Sequence, residues 1–385
     1  MIRDRSWPHP VILKYYLYQA TVTYGFFWPV FTLFLLRRGL TFTQIGILGS
    51  VSAAFVVIGE IPTGYIGDYI GRRNTLIVGS VLLALSLFGF IVANSFAMFV
   101  LLWILWALGQ AFQSGSGDAW LYDALKDQLR EGEYTTVRGR GGSIDQWVSA
   151  GTMLAAGILY NIKPWVPFLA GGLLIFTSIP ILLSMPTIQR VEDDDTLTIV
   201  EAIPLIRDHL TSPPLRSFVL YMAFFFAIIG AADEFIQPIA VRTLNLPRSG
   251  LGPLYAGFTV ISAIASYYAG EIEELLSTRG AMFLIPLLVG ILFVAPLFIP
   301  GVAFALFFTM KSANVVMRPI ASGYINDYVE SAGRATILSG ASMIYALIRL
   351  PLKPLSGFIA DHTTPIVALA ALGTFFILVV LLREV

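Results

Sequence analysis

The chain has no cysteine. That excludes disulfides, thiolate nucleophiles and cysteine-based metal sites, and leaves the redox compartment open. Histidine is scarce: His9, His209 and His362 fall in connections, apart from other ligand types, so no metal centre is expected. Charge is scarce too, at 12% of residues, where soluble domains carry roughly a quarter. The formal net charge is +0 and no basic tract stands out, so nucleic acid is not expected as a partner. No G-x-x-x-x-G-K-[ST] string is present, which removes the usual direct use of ATP. No run presents a nucleophile with a base, so an enzyme is not expected, and no cofactor is implied.

What the chain has instead is long apolar runs. Hydrophobic residues make up 57% of its 385 positions and the mean hydropathy is +0.78. Runs such as 12–36, 76–93 and 282–304 reach the ~18–20 residues that cross a bilayer core. The pattern predicts an all-α polytopic membrane protein with spans near 13–36, 44–66, 75–93, 96–125, 143–162 and 165–184. A second set follows at 217–241, 251–272, 281–299, 302–327, 337–360 and 364–382. Between the sets lies a polar connection, 186–216, with the acidic run Asp193–Asp195 and Pro213-Pro214. Its 198–210 stretch has the pattern of an amphipathic helix lying on the membrane surface.

Basic residues orient the spans. With both termini inside, Arg3, Arg5, Lys14, Arg72, Arg73, Lys126, Arg130, Arg138 and Arg140 fall on the cytoplasmic side, with most of the basic residues of the second half's connections. The other side holds Arg37, Arg38, Lys163, Arg242 and Arg248. Arg3-Asp4-Arg5 precedes a hydrophobic stretch too long for a signal-peptide core, so the first span is expected to stay in the mature protein. The halves also repeat weakly. A shift of 206 sets Gly64 on Gly270, Asp68 on Glu274, Gly71 on Ser277 and Arg73 on Arg279; a shift of 204 sets Asp123 on Asp327. Such repeats are common in transporter folds.

The string GYIGDYIGRR at 64–73 resembles the signature loop between the second and third helices of major facilitator superfamily transporters, glycine-x-x-x-aspartate-x-x-glycine-arginine-arginine. Gly64, Asp68, Gly71, Arg72 and Arg73 all match. The strings GEIPTG at 59–64 and QSGSGDAWLYD at 113–123 resemble a branch of the same superfamily. The resemblance implies twelve transmembrane helices in two six-helix pseudo-repeats: a bundle at 1–185, a linker at 186–216 and a bundle at 217–385. It assigns Gly64, Asp68, Gly71, Arg72, Arg73, Asp123, Glu274 and Arg279 to a conformational motif, with Asp68 reaching the start of span 11 near 336–339. It also implies a central cavity lined by spans 1, 4, 7 and 10. Two departures matter. Leu105 stands near where many members carry a span 4 arginine. In span 5, Gly142 and Gly151 keep the antiporter spacing, but Ala155-Ala156 replace its glycine-proline.

Ionisable residues inside spans are costly and mark function. The first half contributes Glu60, Asp118 and Asp145; the second contributes Asp233, Glu234, Lys311, Arg318, Arg349 and Lys353. Lys311, Asn314 and Arg318 share one helical face, as do Arg349 and Lys353. Asp233 and Lys311 come out at similar depth, given about 1.5 Å rise per residue. Four cations against two acids in the second half leave a cation spare, most naturally Arg349 at the midplane, whose planar fork suits a carboxylate or phosphate. The alternative is that these charges form structural pairs, such as Asp233–Lys353 and Arg318 with Asp118 or Asp145.

The substrate-contact candidates are therefore Gln19, Tyr24, Gln110, Gln113, Lys311, Asn314, Arg318, Arg349 and Lys353. The proton-coupling candidates are Asp118, Asp145, Asp233 and Glu234. The expected activity is secondary active transport of a small molecule by alternating access in a plasma membrane, by a monomer in the lipid bilayer. The expected substrate is an organic anion and the expected coupling ion a proton. Efflux of lipophilic or cationic compounds and a non-transporting membrane sensor are the competing readings.

Overall fold

The computed structural model describes residues 9–128, 130–188, 213–327 and 334–382, and every element in them is helical. The side chains at 60, 61, 64, 68, 131, 213, 214, 334–336 and 339 are outside the description. So are most of the polar connection, including the surface helix expected at 198–210, and the Asp68 side chain that was expected to reach 336–339. Helices are what a bilayer demands: with no water in the hydrocarbon, each backbone N–H and C=O must be satisfied within its own segment.

The first pass is α1 (Pro10–Thr21) and α2 (Phe31–Arg37), interrupted at 22–30, where the sequence led us to expect one continuous span. Then come α3 (Phe42–Ile70), α4 (Arg72–Val92), α5 (Phe96–Gln113) running into α6 (Ser116–Asp127), α7 (Tyr134–Ile162), and α8 (Val166–Phe176) with α9 (Ser178–Ser184). The second set is α10 (Pro213–Pro238), α11 (Leu251–Tyr267) with α12 (Ala269–Leu276), α13 (Thr278–Val294), α14 (Val302–Asp327), α15 (Arg334–His362) and α16 (Pro365–Leu382). Joining the broken pairs gives twelve passes. Among the described residues, 9 are long and apolar enough to be counted as spans on those criteria alone. The other three are the interrupted first pass, α7 with Arg138, Arg140 and Asp145, and α14 with Lys311 and Arg318, whose charges dilute the apolar run.

Two compact units result. One comprises Met1–Pro29 and Phe55–Asp193; the other comprises Val30–Ala54 and Asp194–Val385. The division cuts through α3, so its first half packs with the second set of helices. In the first unit, Tyr15, Tyr18, Leu76, Trp120, Leu121 and Leu182 form one buried cluster. Phe27, Phe90, Phe99, Trp103, Trp106 and Phe168 form an aromatic core, with the Trp103 and Trp106 rings stacked at 6.1 Å. These tryptophans are packing residues. In the second unit the fully buried Phe225, Phe235, Phe293 and Phe376 fill the helix contacts.

Candidate functional site

The turn between α3 and α4 is built on Gly71, whose φ of 86° lies in the region that favours glycine. Its repeat partner Ser277, between α12 and α13, has φ 60°, so the weak sequence echo is also an echo of backbone geometry. Ser277 lacks glycine's freedom but caps α13: its Oγ accepts from the Gly280 N–H at 3.2 Å. Arg73 donates from one terminal nitrogen to the Met185 carbonyl at 3.0 Å. Around Ser277 it is Glu273, not the aligned Glu274, that engages the turn, accepting from Thr278 Oγ1 at 2.8 Å. Glu274 and Arg279 are exposed, and Asp123 is half-buried at the end of α6.

In the first unit the expected polar contacts form a chain. Tyr18 donates its hydroxyl to Gln113 Oε1 at 3.2 Å, and Gln113 donates to Ser80 Oγ at 3.1 Å. Gln19 donates to the Tyr15 hydroxyl at 3.2 Å. Tyr24, in the interruption of the first pass, sits edge-on to Trp106 at 4.8 Å. Asp118 is not a free carboxylate: Arg138 donates to both of its oxygens, at 3.1 and 3.0 Å. Asp145, half-buried on α7, has neither hydrogen bond nor ion pair among the described residues.

The second unit sorts its charges differently from the Asp233–Lys353 pairing considered above. Lys311 on α14 pairs with Asp233 at 2.8 Å, and Lys353 on α15 pairs with Glu234 at 2.6 Å. Consecutive residues on a helix point about 100° apart, so Asp233 faces α14 while Glu234 faces α15. The Glu234–Lys353 pair is the more enclosed, at 12% and 13% side-chain exposure. Gly49 of α3 packs directly on it; a Cβ there would lie 2.5 Å from Lys353 Nζ and 2.9 Å from Glu234 Oε1.

Of the four intramembrane cations Lys311, Arg318, Arg349 and Lys353, the two arginines have no ion-pair partner among the described residues. Arg349 is half-buried, its side chain against Gly230, and its Nε is enclosed with no acceptor. Arg318 donates from Nε to Asn314 Oδ1 at 3.1 Å and lies over the Phe226 ring at 5.4 Å. Both line a cavity of about 450 Å³ shared with Asp233, Lys311, Asn314 and Tyr345, within the 300–1,000 Å³ range typical of small-molecule sites. The Tyr345 hydroxyl and Asp233 Oδ1 are also enclosed without partners. Lys353 does not line this cavity; its charge is used by Glu234.

The same unit contains a clasp the sequence did not reveal. Asp361, in the last turn of α15, accepts from the Phe42 N–H at 2.7 Å, the Thr43 N–H at 2.8 Å and Thr43 Oγ1 at 2.6 Å. It thereby caps the start of α3, where orphan N–H groups and the helix dipole favour an anion. Two turns further along α3, Ser50 Oγ donates to the Leu350 carbonyl at 2.6 Å. Gln237 on α10 accepts from the Leu33 N–H at 3.2 Å and donates to the Tyr255 hydroxyl at 3.2 Å. The polar Gln237 inside an apolar run was the one legible signal for this network.

Comparison with known proteins agrees with this architecture. The family model of the Major Facilitator Superfamily matches residues 19–343. An uncharacterized MFS-type transporter, YxaM, of Bacillus subtilis (strain 168) is 24% identical over 344 residues, covering 84% of this chain and 82% of that protein. The crystal structure of the nucleoside transporter NupG superposes with a TM-score of 0.83 at 11% identity, covering 97% of this chain and 98% of the other. A bacterial homolog of the human lysosomal transporter Spinster, inward-facing and unoccupied, gives 0.71 at 17% identity over 96% and 92%. With a family match over most of its length and the fold shared end to end, this chain is a transmembrane transporter of the Major Facilitator Superfamily.

Proposed function

We propose that the protein is a secondary active transporter of a small organic anion, which binds at Arg349 in the cavity between α10, α11, α14 and α15. The observation that carries this reading is the unpaired guanidinium of Arg349 in a half-buried site whose other cation-binding carboxylates, Asp233 and Glu234, are already engaged by lysines. A buried, unpartnered cation is costly unless a ligand compensates it. Transport by alternating access assigns the Asp361 clasp to a gate that opens once per cycle, with α3 bending where its two halves part company near residues 54 and 55. Both termini are cytoplasmic in this account, and the protein works as a monomer in the plasma membrane. Proton coupling falls to Asp145, because Asp118, Asp233 and Glu234 each have a cationic partner.

The test is transport in vesicles containing a pH-sensitive dye. Organic anions should move protons in wild-type vesicles and fail to do so in Arg349→Gln. Proton movement with lipophilic cations alone, unaffected by Arg349→Gln, would sink the anion reading in favour of drug-type efflux.

A further inference from the structure

The cavity holds more positive charge than a simple acid can balance. Lys311 is neutralised by Asp233, yet Arg318 and Arg349 both remain, on α14 and α15, facing one space of about 450 Å³. Arg349 is half-buried and Arg318 is exposed. Arg318 is held at two points, by Asn314 Oδ1 on its Nε and by the Phe226 face beneath it. Its two terminal nitrogens have no hydrogen-bond partner among the described residues. Arg349 stands one turn along α15 from Tyr345, whose enclosed hydroxyl lacks a partner, so a guanidinium and an O–H donor are presented from one helical face. The Phe226 and Tyr345 rings, 5.2 Å apart, give the site an aromatic wall.

We infer that the occupant is a dianion with a flat apolar body: one acidic group set on Arg349 and Tyr345, the second charge on the Arg318 fork. This inference rests on the anion reading above and narrows it. A monoanion on the half-buried Arg349 would leave the exposed Arg318 guanidinium to solvent alone, whereas two charges satisfy both forks bidentately. A dicarboxylate and a phosphate monoester supply this same chemistry, the first with its charges apart and the second with them on one group.

The test is calorimetric titration of the purified full-length chain with benzoate, isophthalate and phenyl phosphate, at a pH where the phosphate is fully ionised. The three share a ring and differ in charge and its placement. At least one dianion should bind roughly tenfold or more tighter than benzoate. Preference for isophthalate identifies separated carboxylates, and preference for phenyl phosphate identifies a single phosphate group. Arg318→Gln should collapse the dianion-to-benzoate affinity ratio to near one, and Arg318→Lys should restore part of it. The ratio is internal to each variant, and thermal unfolding checks that each is folded. Benzoate binding as tightly as both dianions in the wild type would overturn the dianion inference while leaving the anion reading intact. A ratio unchanged in Arg318→Gln would overturn it likewise. Failure of all three anions to bind would overturn both.

Discussion

Removing the carboxylate of Asp361 should free the start of α3. Three donors converge on its two oxygens, at 2.6 to 2.8 Å, from a helix more than three hundred residues earlier in the chain. Loss of a helix cap costs about 0.5–2 kcal/mol, and hydrogen bonds to a charged group are worth about 1.5–3 kcal/mol. The freed donors regain water once the contact opens, so about 2 kcal/mol is a reasonable net loss for Asp361→Ala. That corresponds to a roughly thirtyfold rise in the open population. Asp361→Asn keeps one acceptor oxygen and should lose about 1 kcal/mol, a roughly fivefold rise. The native chain contains no cysteine, so a single probe can be read without background. Ile45, only 3% exposed on this half of α3, is a suitable position. In an Ile45→Cys background, labelling by a water-soluble maleimide should quicken in the order wild-type, Asn and Ala at position 361. Labelling that stays within about twofold for the Ala variant would show that the cap does not hold this contact closed, and the gate assignment would fall.

Other perturbations test separate parts of the account. Gly71→Ala meets no neighbouring atom but must adopt φ near 86°, so it should lower stability by about 1–2 kcal/mol, read as a lower thermal midpoint in detergent. For the enclosed Glu234–Lys353 pair, Glu234→Gln or Lys353→Met alone strands a charge and should cost about 3–5 kcal/mol. The double variant should recover most of that loss in the same unfolding assay, and additive losses would mean the pair is not coupled. Asp145→Asn should abolish proton movement in dye-loaded vesicles while leaving anion exchange intact. Proton movement in that variant at the wild-type rate would place the coupling carboxylate elsewhere.

The limits of sequence reading follow from what each signal measures. Apolar run length reports the hydrocarbon thickness, so the passes were legible, and helical rise placed Asp233 and Lys311 at one depth, where the structure joins them. Pairing identity was harder. Neighbours such as Asp233 and Glu234 have the same depth and differ only in azimuth, which periodicity does not tie to a particular partner helix. The interruption at 22–30 is signalled by Gly25 and Pro29, but Val22, Phe26, Phe27 and Trp28 keep the run as apolar as a continuous helix, and that apolar length outweighs both signals. Asp361 was passed over because an acid at the end of a span resembles a solvated terminus, and its partners are backbone N–H groups that carry no sequence signature. The same holds for α3: nothing in its composition marks where one unit gives way to the other.

The central claim, that Arg349 receives the anionic group of the transported molecule, is tested most directly by counterflow, which needs no coupling ion. Vesicles loaded with an unlabelled organic anion that the protein binds should accumulate the labelled anion through the wild-type protein. The account predicts loss of that accumulation in Arg349→Gln and partial recovery in Arg349→Lys, whose point charge lacks the planar fork. Counterflow through folded Arg349→Gln at the wild-type rate would contradict it and leave the unpaired guanidinium without a transport role.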